Sequence, residues 1–176
     1  MLKKLIAITF LTISFLAQAS DDYNYSAHIV HGPFSTKIYK NSKIYFSNSQ
    51  EKNYPIYFLL DRKLAQESEI KIIDKYEVSG SSPKIETVFF YPIKKEENII
   101  VLVSWEINNR GLGTYGTLYQ LYLYKDQGGH LVRNEELMKN KEISGMDGYQ
   151  EGNEISFKLK TASDIKKYIR ERLDKP

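Results

Sequence analysis

The 176-residue chain carries 25 Lys and Arg against 22 Asp and Glu, a formal net charge of +3, and its lysines are scattered along the sequence. That is not the balance of a nucleic-acid binder. A chain of this length reads as one domain able to bury its own core, and with no cysteine anywhere its fold rests on packing and hydrogen bonds rather than disulfides.

The first residues read as an export leader. Lys3 and Lys4 form a short positive region, Leu5 to Leu16 an apolar one broken only by Thr9, Thr12 and Ser14, and Ala17-Gln18-Ala19 a small-x-small cleavage site. The apolar run falls short of the roughly 20 residues a spanning helix needs. The expectation is a signal peptide over residues 1–19, cut between Ala19 and Ser20, and a soluble domain over 20–176 with no membrane span after cleavage. An exported domain without cysteine points to a bacterial periplasm rather than to eukaryotic secretion.

Taken in order, the chain predicts mostly strands. Ser20 to Ser26 is a polar lead-in. His28 to His31 starts a strand ended by Gly32-Pro33, and Thr36 to Lys40 pairs with Lys43 to Ser47 across a turn at Asn41-Ser42. Pro55 to Leu60 is an apolar strand, followed by a helical turn from Asp61 to Glu67 with Asp61 as its cap. Glu69 to Val78 reads as a strand with a wet edge. Ser79-Gly80-Ser81-Ser82-Pro83 is a turn, and Lys84 to Tyr91 a strand closed by Pro92.

Residues 98–125 hold the strongest pattern, a long central hairpin. Ile99, Val101, Val103, Trp105 and Ile107 share one face at period two, with Ile100, Leu102, Ser104 and Glu106 on the other. The returning arm sets Tyr119, Leu121 and Leu123 against Leu118, Gln120, Tyr122 and Tyr124. Both faces begin apolar, so both are expected to be covered. After it come a turn at Asp126 to Gly129, a short strand from His130 to Arg133, a short helix from Glu135 to Lys139 capped by Asn134, a glycine loop from Ser144 to Asn153, and a strand from Glu154 to Lys160. The period then changes. Thr161 caps an amphipathic helix over 162–173, with Ala162, Ile165, Ile169 and Leu173 on one stripe and Asp164 in the first turn. These elements predict an α+β fold of about nine mainly antiparallel strands with one C-terminal helix; the alternative is a β-sandwich with a helix.

Motifs for chemistry are sparse. Gly111 to Gly116 spells G-x-G-x-x-G, but it opens a strand rather than the helix a dinucleotide site requires, so its glycines are expected to shape the hairpin turn. His28 and His31 diverge in an extended segment and chelate poorly. No G-x-S-x-G elbow occurs. Glu106 follows Trp105, and pairing with Arg110 accounts for it more plainly than acid catalysis does. No catalytic residue, metal site or cofactor is therefore expected.

Binding residues are a different matter. Arg110 and Tyr115 beside one set of glycines, and Asp147 and Tyr149 beside another, are the residue types that dominate binding surfaces, on segments read as loops. The expected function is a periplasmic protein-binding domain: an inhibitor or immunity protein that sequesters a toxin or cell-wall-active enzyme, for example a type VI secretion effector. The alternatives are a hydrolase with a spatially assembled site and a structural component of an envelope complex.

Overall fold

The computed structural model describes residues 24–64 and 67–174. The predicted leader and its cleavage point lie outside the described residues. Two antiparallel sheets pack face to face. In the first, β1 (Ile29–Thr36), β2 (Ser42–Asn48), β3 (Ile56–Leu64) and β4 (Glu67–Tyr76) follow chain order. The second contains β5 (Lys84–Ile93), β6 (Glu96–Asn109), β7 (Thr114–Gln127), β8 (His130–Arg133), β9 (Ser144–Gln150) and β10 (Asn153–Ile155). Its order is β10-β9-β7-β6-β5, with β8 also on β7. The fold is mainly antiparallel β with a C-terminal helix, as the pattern predicts, and the strands number ten among the described residues.

The period-two reading of the central hairpin accounts for the layers. Ile99, Val101, Val103 and Trp105 of β6, with Tyr124 of β7, meet Ile44, Phe46, Phe58, Leu60 and Tyr76 of the first sheet. The opposite residues Ile100, Leu102, Leu121 and Leu123 lie under Ile165, Ile169 and Leu173 of α2 (Ala162–Tyr168) and its continuation as a wider π turn (Ile169–Leu173). Thr161 caps this helix: its Oγ1 accepts from the Asp164 amide at 3.2 Å. Asn134 likewise caps α1 (Glu135–Met138).

Several boundaries differ from expectation, each for a physical reason. The first strand does not stop at Gly32-Pro33, nor does β5 stop before Pro92. Both are outermost strands, where a missing amide faces away from the ladder and a proline is tolerated. The first hairpin consequently pairs 29–36, not 36–40, with β2. Asp61 to Leu64 is not a helical turn; it extends β3 against β4, and Ala65 and Gln66 lie outside the described residues. The glycine loop from Ser144 to Asn153 is largely strand, β9, turning at Glu151-Gly152 into β10. Beyond Ile155 the chain leaves the sheet, so the expected strand to Lys160 is shortened to three residues. Phe157 and Leu159 remain buried against the face under α2.

Candidate functional site

β6 ends at Asn109, and the chain turns through one short 3-10 turn, Arg110–Leu112, into Gly113 at φ 63°. Only this glycine has the left-handed conformation in the turn that glycine favours. Gly116 lies within β7 instead, directly opposite Gly148 of β9. A Cβ on either would run into the facing backbone, so the paired glycines are what allow β9 to lie against this end of β7. The motif thus serves sheet packing as well as the turn.

Two bonds join the turn to the neighbouring β9–β10 hairpin. The Gly152 amide donates to the Gly113 carbonyl at 3.0 Å, and the Glu151 amide donates to Thr114 Oγ1 at 3.1 Å. A Cβ on Gly113 would meet the Gly152 nitrogen at 2.8 Å, so the two turns are in close contact.

The β7–β9 register places Tyr115 opposite Tyr149. Their rings stack with centroids 4.9 Å apart and planes 21° apart. The Arg110 guanidinium carbon lies 4.4 Å over the Tyr115 ring. Three of the four residues singled out from the sequence therefore form one cation–aromatic stack. They stand on strand ends and a tight turn rather than on two separate loops. The expected pairing of Glu106 with Arg110 is not among the ion pairs of the described residues; the Glu106 amide donates to Ser81 Oγ at 2.7 Å.

Asp147 shares the face of Tyr149 two residues along β9 but is engaged elsewhere. Lys160 Nζ sits 2.8 Å from its Oδ2. The hydrogen bond from Lys160 holds the Asp147 carboxyl below the usual range, against a smaller opposing effect of burial. This pair anchors the segment that leaves the sheet after Ile155.

The sequence reading missed three features of this end of the molecule. Leu112 at the apex of the turn is 70 % exposed. Its signal was an isolated leucine between two glycines. Lys160, expected at the end of a strand, is instead the partner of Asp147. A groove of about 660 Å³ runs along β9, bounded by Met146, Phe157, Tyr168 and Glu142. In its wall the Tyr168 hydroxyl accepts from Asn140 Nδ2 at 2.7 Å, and burial, then Glu142, pushes its pKa up to about 12. Asp164, also on the groove, accepts from the Thr161 hydroxyl at 2.6 Å as part of the helix cap.

Among the described residues no group of three or more His, Asp or Glu is placed to hold a metal ion. His31 packs on Phe34 and Phe46, and burial lowers its pKa. No helix among the described residues is long and apolar enough to cross a membrane. No family model, no curated protein and no solved structure matches the chain.

Proposed function

We propose that this is an exported periplasmic protein that binds another protein through the end of its central hairpin, in the manner of an inhibitor or immunity protein against a toxin or cell-wall-active enzyme. The observation that carries the reading is the stack of Arg110, Tyr115 and Tyr149 beside exposed Leu112. Arginine offers five directional donors and tyrosine a large area with little rotamer freedom, and both concentrate binding energy. The bonds from Gly152 and Glu151 hold the surface in shape before any partner arrives, which lowers the ordering cost of association. The exported location rests on the leader sequence.

The test is capture of partners from a periplasmic extract, then titration of the purified partner with Arg110→Ala and Tyr115→Ala. Each change is expected to weaken binding by about 2 kcal/mol or more with the thermal melt unchanged. A partner that binds both variants as tightly as the unaltered protein places the contact surface elsewhere.

A further inference from the structure

The outermost strands of the two sheets are not equally protected. β1 carries Gly32-Pro33 and two register irregularities. β5 carries Pro92 and an irregularity at Glu86. β10 is three residues long. Prolines, bulges and short length all discourage another strand from pairing. β4 is different: over Ser68 to Ile72 it has neither proline nor bulge, and its irregularity comes only after Ile72. All five residues are exposed.

The direction of the backbone groups on β4 follows from its partner. The Lys63 amide donates to the Asn41 carbonyl, towards β2. Alternation along β3 then turns Arg62 and Leu60 towards β4, where they face Glu69 and Lys71. The amides and carbonyls of Ser68, Ile70 and Ile72 consequently point away from the sheet. Ile70 and Ile72, 45 % and 37 % exposed, stand on the outer face beside buried Leu59. Glu69 and Lys71 stand on the opposite face, where Lys71 Nζ is 3.4 Å from His130 Nδ1.

This edge is complementary to itself, and we propose that β4 pairs antiparallel with β4 of a second copy about a two-fold axis at Ile70. In that register Ile70 faces Ile70, Ser68 faces Ile72, and Glu69 faces Lys71 of the other copy. Each outward residue exchanges backbone hydrogen bonds with its counterpart. The isoleucines form one apolar stripe across the junction, and the acid–base pairs repeat on the other face by symmetry. Sliding by one step sets either Lys71 against Lys71 or Glu69 against Glu69. The charges therefore select one register, and the irregularity after Ile72 limits its length. The surface belongs to the other sheet from the hairpin stack and is independent of the function proposed for that stack.

The test is the mass of the purified protein by light scattering and sedimentation over a concentration series. The unaltered protein is expected to pass from monomer to dimer. Glu69→Lys places lysines against each other across the axis, and Lys71→Glu does the same with glutamates, so each variant is expected to stay monomeric with an unchanged melt. Mixed together, the two variants present opposite charges at both pairs, and a heterodimer is expected. A monomer at every concentration overturns the proposal, as does a dimer indifferent to both substitutions. Two monomeric variants that fail to associate on mixing overturn the register and with it the proposal.

Discussion

Trp105 is 4 % exposed, and its Nε1 donates to the Glu77 carbonyl at 2.9 Å. One side chain thus fills space between the sheets and fixes the segment that passes from one sheet to the other. Trp105→Ala is expected to cost about 3–5 kcal/mol in a urea titration; an unshifted midpoint would contradict its place in the core. The side chain's burial was legible from its phase with Val101 and Val103, while its hydrogen bond was not. The same division holds at the candidate site. Residue type marked Arg110, Tyr115 and Tyr149, but their stacking depends on the β7–β9 register, and no local pattern encodes a pairing between segments that far apart. Nor does local pattern show that Asp74, from β4, receives Arg133 Nε at 2.5 Å and the Tyr124 hydroxyl at 2.6 Å. Tyr124 is in turn 2.7 Å from the Tyr76 hydroxyl, so a polar network bridges the sheets beside an aromatic core.

Among the elements, α2 and the central hairpin were legible because each has one uninterrupted period and a recognisable end. β9 was hidden by its glycines, which resemble turn residues until their positions are known. Gly145 leaves room for the Phe157 ring, and Gly148 faces Gly116. Gly116→Ala forces a Cβ into the β9 backbone at φ 135°. It is expected to detach β9 locally, seen as faster amide exchange at Tyr149 and Asp147 than at the β6–β7 pairs. Equal protection throughout would show that the strand tolerates the methyl group. The helix cap gives a smaller effect. Thr161→Ala removes the acceptor for the Asp164 amide and is expected to cost about 1 kcal/mol by thermal denaturation. No loss would mean that the 3.2 Å bond contributes nothing net.

For the molecule as a whole, the tyrosines set its response to base. Burial raises the pKa of Tyr76 and Tyr124 well above the ordinary value of 10.0, and that of Tyr122 to about 12. The unfolded chain releases these protons first. The contribution to stability is therefore complete below about pH 10 and falls as pH rises through the tyrosine range. Melting temperature is expected to decline above about pH 10, and Tyr122→Phe should flatten that decline. A flat profile would show that these hydroxyls ionise equally in both states. The layered architecture also has a consequence for how the chain is made. β6 and β7 can pair as soon as both exist, but α2 follows every strand in sequence. Until it emerges, Ile100, Leu102, Leu121 and Leu123 form an apolar surface that lacks the cover of Ile165, Ile169 and Leu173. Ending the chain before Thr161 is expected to leave that intermediate permanently, as a species that binds an apolar dye and aggregates. During synthesis the same surface stays partly bare until the final helix docks.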